Sequence, residues 1–350
     1  RRYADIAAAF LVTGAMRLAQ GGRLGFVMPL SFLAANDARG ARDAVLASCE
    51  LRALWSCRSS PFAEADVRVC AVVLERGGGR GLRRSFGKSC DALAPRDFGP
   101  ARGDISWAPW ISDGFGVPAI APSAGAPIST IASATADFRD QYYGLRGAIA
   151  RDGDLKLVTT RHVDLAACSW ESAEVRVLGE RFVRPMVSLA ALASEPEMLR
   201  WAAARRVPKV LVSTQTRVME AWVDERGESL PLVPLLTVTP HDGVSLWMAA
   251  AAVASPVVAV RAAQLYAGAA MDATAIKLSA KQLLAMPCPV DHDAWRESAA
   301  RFERASHASS VATRAAELRA FAESSCRAHA LPTAEAGEVL AFWNSRARLS

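Results

Sequence analysis

A short segment of the chain gathers four side chains that are suited to contacts with nucleic acid. Gln141, Tyr142, Tyr143 and Arg146 supply an amide, two phenol rings and a guanidinium group within one short stretch. Amide and guanidinium groups form paired hydrogen bonds with base edges, and guanidinium groups also bind phosphates. The composition of this segment therefore predicts a surface that contacts DNA.

Two further groups of polar residues could extend that surface. Lys209, Gln215 and Arg217 all have odd numbers in a predicted strand, so strand alternation would place them on one face. Lys277 and Lys281 are spaced by one helical turn and are candidates for phosphate contacts. For both groups the alternative is an ordinary solvent-exposed face.

The composition limits the kinds of chemistry. A net charge of +6 and a pI near 9.1 are compatible with a polyanionic partner, although many enzymes are equally basic. The seven cysteines show no CxxC spacing and the five histidines are isolated, so we expect no metal site and reduced thiols in a cytoplasmic protein. The longest apolar stretch, 244–260, is short for a membrane span and predicts a buried helix, so we expect no membrane partner.

The elements that would position these groups follow an α/β order. Gly21 and Gly22 end a first helix that carries Tyr3, Ile6, Phe10 and Leu18 at helical spacing. The run at 24–28 is apolar throughout, which is typical of a strand buried on both faces of a parallel sheet. A helix and two more apolar runs, at 51–55 and 67–74, follow, and this last pair could close the sheet as an antiparallel hairpin.

We predict four regions. Residues 1–84 form part of a Rossmann-like sheet, and residues 85–135, rich in Pro, Gly and Ser, form a linker. Residues 136–290 form a mixed α/β domain, and residues 291–350 form a helical tail. The predicted fold class is therefore α/β.

The order of these segments resembles the second half of the catalytic domain of adenine-specific (N6) DNA methyltransferases of the Eco57I or TaqI type. The stretches that carry this resemblance are GGRLGFVMPLSFL at 21–33 and SSPFAEADVRVCAVVLER at 59–76. Three later stretches resemble the target-recognition region of actinobacterial members: FRDQYYGLRG at 138–147, RRVPKVLVSTQTR at 205–217 and IKLSAKQLLAMPCP at 276–289. The resemblance covers nearly the whole chain.

The resemblance implies roles for two residues of the first region. Pro29 would end the strand that follows the catalytic loop, and Phe62 would stack on an adenine that has been extruded from the duplex. Extrusion costs a few kcal/mol, and stacking on an aromatic ring returns about 1–3 kcal/mol. The alternative is a Phe62 that anchors its loop in the core.

The resemblance also implies S-adenosylmethionine as the methyl donor, double-stranded DNA as the partner, and a restriction-modification or phage-defence role. A Gly-containing cofactor loop and an Asn/Asp-Pro-Pro-Tyr/Phe loop are missing from residues 1–350. We therefore expect both in an upstream catalytic segment or a separate chain, and we expect this chain alone to be inactive.

Two other functions are alternatives to this one. One is a DNA specificity module that is not catalytic and works beside a separate catalytic chain. The other is an unrelated Rossmann-type oxidoreductase, which is disfavoured because the sequence has no GxGxxG motif followed by an acidic residue.

Overall fold

The computed structural model describes residues 6–64, 67–78, 81–97, 99, 101–137, 139–266 and 275–349. The chain divides into two compact units. The first comprises Arg1–Ile120 and Val260–Lys277, and the second comprises Ala121–Ala259 and Leu278–Ser350. The segment predicted as a linker, 85–135, is thus shared between the two units, and its Trp107 and Trp110 are buried.

The first unit is built on a five-stranded sheet. Its helices and strands are α1 (Ile6–Met16), β1 (Arg23–Pro29), α2 (Arg39–Leu46), β2 (Glu50–Ser56), β3 (Val69–Glu75), β4 (Arg83–Phe86) and β5 (Asp91–Ala92). The strand order is β1-β3-β2-β4-β5. Because β3 is antiparallel to both β1 and β2, these two strands run in the same direction. The predicted helix–strand–helix–strand–strand order and the antiparallel final pair are confirmed.

The prediction that the run at 24–28 is buried on both faces of a parallel sheet is wrong. Among the described residues β1 pairs only with β3, so it is an edge strand in an antiparallel pair. Arg23, Gly25 and Val27 are exposed on one face, whereas Met28 is buried. An apolar run alone does not distinguish a central strand from the edge of a sheet that is covered on one side.

Helix α1 buries a narrow stripe of small and aliphatic side chains. Ala8, Leu11 and Ala15 face the core. Ile6 and Phe10, which the sequence placed at helical spacing, are 74% and 64% exposed. Tyr3, the other aromatic residue of that predicted face, lies outside the described residues.

Buried Arg42 holds the segment that follows β1. Its Nη1 donates to the carbonyl oxygens of Phe32, at 2.7 Å, and Ala35, at 3.1 Å, and its Nε donates to that of Gly103, at 3.2 Å. Burial lowers the pKa of Arg42 to about 10. The nearby ring of Trp107 packs edge-on against Phe32, with 5.9 Å between ring centroids. The turn after Pro29 is therefore fixed by both polar and aromatic contacts.

The second unit contains two four-stranded sheets, of order β16-β8-β13-β7 and β15-β14-β17-β6, and the two-stranded pairs β9–β10 and β11–β12. Its strands are β6 (Ala132–Ala136), β7 (Ile149–Ala150), β8 (Leu155–Val158), β9 (Val163–Asp164), β10 (Ala167–Cys168), β11 (Val175–Val177), β12 (Glu180–Phe182), β13 (Met186–Val187), β14 (Lys209–Val212), β15 (Ala221–Asp224), β16 (Ser229–Pro231) and β17 (Leu236–Pro240). Its early helices are α3 (Arg139–Gly144) and α4 (Pro196–Arg205). Mixed sheets with helices confirm the predicted α/β class.

The described residues that follow β17 are mainly helical. The remaining helices are α5 (Leu246–Ala254), α6 (Pro256–Tyr266), α7 (Ala280–Leu284), α8 (His292–Ser306), α9 (Val311–Ala328) and α10 (Thr333–Asn344). The rings of Phe302, Phe321 and Trp343 pack in series between the last three helices, which confirms the predicted helical tail. No single helix of the described residues is long and apolar enough to cross a membrane, although α5 and α6 pass that test as a bent pair.

His329, at the end of α9, is a buried titratable group that makes stability depend on pH. Neither ring nitrogen has a hydrogen-bond partner among the described residues, and burial lowers the pKa of His329 to about 4. An unfolded histidine takes up a proton near pH 6.5, so between about pH 6.5 and 4 the unfolded chain binds more protons than the folded one. Stability is therefore complete above that window and is lost as the pH falls through it.

We predict that His329→Leu removes this loss. The free energy of unfolding of the unchanged protein should fall by up to about 3 kcal/mol more than that of the variant between pH 7 and pH 4. Urea unfolding at a series of pH values measures the difference. The exposed His241 provides a control, because His241→Gln should leave the profile unchanged. Parallel profiles for the protein and the His329 variant would contradict the prediction.

Candidate nucleic-acid interface

The first unit places Pro29 and the Phe62 loop at the same edge of its sheet. Pro29 is the last residue of β1, and the loop follows the last residue of β2, Ser56. Cys70 of β3 is the register partner of both Met28 and Ser56. Because β1 and β2 are parallel to one another, their carboxyl ends meet across the start of β3.

Local hydrogen bonds shape the loop that carries Phe62. The Phe62 N–H donates to the Ser60 hydroxyl oxygen at 3.2 Å, and the Cys57 thiol donates to the Ser59 carbonyl oxygen at 2.8 Å. The Phe62 side chain itself is 49% exposed. A large part of its aromatic surface is thus open to solvent, as a base-stacking role requires and a core anchor does not.

Arg68 lies at the same edge, and the sequence analysis missed it. Its carbonyl oxygen accepts the N–H of Leu30 at 2.8 Å, next to Pro29. Its Nε and Nη1 are buried and have no hydrogen-bond partner among the described residues. A buried guanidinium group without an acceptor is costly. No spacing rule singles out Arg68, because it is one arginine among many in this chain.

The turn after β1 is not a glycine-containing cofactor loop. The turn after β1 consists of the apolar 3₁₀ segment Leu30–Leu33, whose Leu30, Phe32 and Leu33 are buried. No glycine-containing turn there leads from a strand into a helix. No cluster of three or more metal-ligating side chains occurs in the described parts of the chain.

In the second unit, the predicted DNA-binding segment lies on α3 and the turn after it, and its two tyrosine rings differ in exposure. Tyr142 is partly buried against the core, and its hydroxyl oxygen accepts the Leu178 N–H at 3.1 Å. The Tyr143 ring packs edge-on against Tyr142, at 5.2 Å between centroids, and is 55% exposed. Arg146 is exposed and Gln141 is partly buried. The structure thus brings these four residues together.

The prediction that Lys209, Gln215 and Arg217 share one face of a strand is wrong. Strand β14 ends at Val212, and Gln215 has a left-handed backbone with φ of 68°. Gln215 and Arg217 are exposed in the following loop, whereas Lys209 is fully buried. Lys209 cannot reach a phosphate from this position.

Lys209 instead forms a buried ion pair. Its Nζ lies 2.5 Å from Oδ2 of Asp224, and the same oxygen accepts the Ser229 N–H at 2.9 Å. Burial lowers the pKa of Lys209, and Asp224 partly opposes this shift. The pair joins β14 to β15 and to the turn that leads into β16.

Lys277 and Lys281 are both exposed, but they do not lie one turn apart on a helix. Helix α7 begins at Ala280, after a capping box formed by Ser279 and Gln282. Lys277 precedes this helix and Lys281 lies inside it. Their expected spacing on one helical face is therefore wrong, although both side chains are accessible.

The fold is similar to that of a restriction-modification enzyme. The sequence matches no family model and no curated protein. Among solved structures, the chain is similar to the Type IIL restriction-modification enzyme MmeI in complex with DNA, with a TM-score of 0.56 and 10% identity over 98% of this chain and 51% of the MmeI chain. It also matches the type IIG restriction endonuclease BpuSI, with a TM-score of 0.33 and 10% identity over 95% of this chain and 49% of that chain. The chain spans about half the length of both.

The buried ion pair yields a stability prediction. Lys209→Met and Asp224→Asn should each lower the free energy of unfolding by about 3–5 kcal/mol, because each leaves an uncompensated buried partner. Urea unfolding measures the loss. Arg226→Ala is the control, since its pair with Glu228 is exposed and should contribute at most about 1 kcal/mol. A Lys209 variant that is as stable as the control but binds DNA more weakly would restore Lys209 to the interface.

Proposed function

We propose that this chain recognises DNA and positions the target base in an adenine-N6 DNA methyltransferase of a restriction-modification system. The observation that carries the proposal is the half-exposed Phe62 at the carboxyl edge of a sheet, in a chain whose fold is similar to that of a restriction-modification enzyme solved with DNA. The proposal that the target base is adenine rests on the sequence resemblance alone.

The proposed reaction transfers a methyl group from S-adenosylmethionine to the exocyclic amine of an extruded adenine. The described residues do not fit the cofactor alone, so its site and the amine-binding loop would come from other sequence, in the same polypeptide or in a separate chain. The part of this chain is to hold the base. Phe62 offers a ring face for stacking, and hydrogen bonds of its loop hold the main chain that carries it.

The second unit would bind the surrounding duplex. Tyr143 on α3 and Arg146 in the turn that follows it are open to solvent, and Tyr143 packs beside the anchored ring of Tyr142. Arginine side chains suit phosphate contacts, and such contacts make affinity depend on salt. Exposed Gln215, Arg217 and Lys281 of the second unit, and exposed Lys277 of the first unit, are further candidates for contacts with DNA. Buried Lys209 is not.

We predict that Phe62→Ala in the intact enzyme lowers the rate of methyl transfer by about 5- to 150-fold, the equivalent of a lost stacking contact of about 1–3 kcal/mol. Overall DNA affinity and stability should change little, because the ring is half exposed. Single-turnover kinetics and the fluorescence of 2-aminopurine at the target position measure the effect. Val67→Ala is the matched control, since Val67 is 44% exposed after the same loop. A Phe62 variant that unfolds early and is fully active when folded would show a packing role only.

We further predict that Arg146→Ala weakens DNA binding in 50 mM salt and reduces the slope of log affinity against log salt by about one. Titrations of a labelled duplex at several salt concentrations (on the order of 50–200 mM) measure the slope. Arg296→Ala in α8 is the control, because Arg296 is exposed but paired with Asp293 at 2.7 Å. Equal slopes for both variants would remove Arg146 from the interface.

A further inference from the structure

The β11–β12 hairpin is a two-stranded ribbon that the sequence analysis did not single out. Its register pairs Val175 with Phe182 and Arg176 with Arg181. Val175, Val177 and Phe182 are buried in the core of the second unit. Since side chains alternate along a strand, Arg176 and Arg181 lie together on the outer, exposed face.

The turn of this hairpin is held in an unfavourable conformation. Leu178 and Gly179 both have a left-handed backbone, with φ of 50° and 96°. Such a two-residue turn matches the twist of the strands, but a leucine there is strained by its side chain. The Tyr142 hydroxyl oxygen accepts the Leu178 N–H at 3.1 Å. The contact joins the turn to α3, beside exposed Tyr143.

The outer face carries a second unfavourable feature. Like charges directly opposite each other on paired strands destabilise a sheet, yet Arg176 and Arg181 occupy such positions. Arg176 Nε donates to the Gly179 carbonyl oxygen at 3.0 Å, so the guanidinium group is tethered while its two Nη groups have no acceptor among the described residues. Arg181 Nη1 donates to Glu174 at 3.2 Å. Two guanidinium groups are thus displayed side by side at a cost to folding.

The charge balance of the hairpin favours contact with bases over contact with the backbone. Glu174 is ion-paired with Arg181, so the outer face of the hairpin carries an acidic group among its arginines. Glu180 is the register partner of buried Val177 and belongs to the opposite face by strand alternation. A surface that only held phosphates would carry an excess of cations. Direct recognition of base pairs uses both kinds of group, since arginine binds guanine through two hydrogen bonds and glutamate accepts from cytosine. Exposed Arg151 and Arg184 line a cavity of about 190 Å³ next to Phe182 and can contact the flanking phosphates.

We propose that the β11–β12 hairpin enters the major groove, that Arg176 and Arg181 recognise guanines there, and that Tyr142 positions the turn. The inference rests on the proposed DNA-binding function of the second unit. The major groove, about 12 Å wide, admits a two-stranded ribbon. The guanidinium groups of Arg176 and Arg181 lie on the exposed face of this ribbon. Val175 and Val177 on its opposite face are buried and anchor the ribbon in the core.

The test is selection of bound duplexes from a randomised DNA library by the full-length protein, followed by sequencing. Arg176→Ala, Arg181→Ala and Tyr142→Phe are compared with Arg200→Ala, an exposed arginine on α4 paired with Glu197. Arg176→Ala and Arg181→Ala should each lose about 5- to 150-fold of the preference for one base pair and keep the other positions. Binding to an unselected duplex should not change. The thermal unfolding temperature should change only slightly, because the repulsion between the arginines and the exposed pair of Arg181 with Glu174 are each worth at most about 1 kcal/mol. Arg200→Ala should select the same motif as the unchanged protein.

Tyr142→Phe keeps the ring and removes the acceptor for the Leu178 N–H. Its stability should stay close to that of the unchanged protein, while preference weakens at the positions that Arg176 and Arg181 define. A Tyr142 variant with full preference would overturn the positioning role.

The remaining outcomes are distinct. A full-length protein that enriches no sequence at all would overturn the proposed function itself. A protein that selects a motif, together with hairpin variants that select the same motif, would overturn only the inference about the hairpin. Hairpin variants that lose affinity equally for every duplex would show phosphate contacts and would likewise overturn recognition of bases.

Discussion

The antiparallel insertion of β3 between β1 and β2 is the constraint on which the first unit depends. It forces β1 and β2 into the same direction two strand spacings apart, or about 10 Å. Pro29 and the start of the Phe62 loop therefore flank the beginning of β3. The same arrangement leaves the outer edge of β1 without a neighbouring strand among the described residues. Ile6 and Phe10 on α1 are also exposed.

In the second unit, buried contacts support polar side chains that are exposed to solvent. Its ion pair between Lys209 and Asp224 is entirely internal and ties β14 to β15. A single phenol group, that of Tyr142, connects the short helix α3 to the turn of the β11–β12 hairpin. Buried side chains thus set the geometry, while Tyr143, Arg146 and the hairpin arginines remain accessible.

Local patterns in the sequence predicted the strands well, because runs of β-branched and aliphatic residues between turns depend on nearby residues alone. The runs at 51–55 and 67–74 correspond to β2 and β3. The order of elements and the helical tail followed from the same patterns. These features need no knowledge of distant contacts.

Features that depend on distant partners were not predictable from the sequence. Lys209 can be buried because Asp224, on another strand, neutralises its charge. The alternation of residues in one strand does not reveal that partner, so it predicted an accessible Lys209. Val27 is exposed because no other element covers it among the described residues. An apolar run in the sequence does not show whether a face of the sheet is covered. The pairing of Arg176 with Arg181 requires the register of the hairpin, and neither residue stands out among the other arginines.

The separation of the two faces of the β11–β12 hairpin has an evolutionary consequence. Val175, Val177 and Phe182 maintain the attachment to the core, whereas the outward pair at 176 and 181 makes no core contact through its side chains. Mutations at these two positions can accumulate without loss of the scaffold, and removal of either positive charge relieves a mutual repulsion. Related proteins could therefore diverge quickly at this spot while their architecture stays constant.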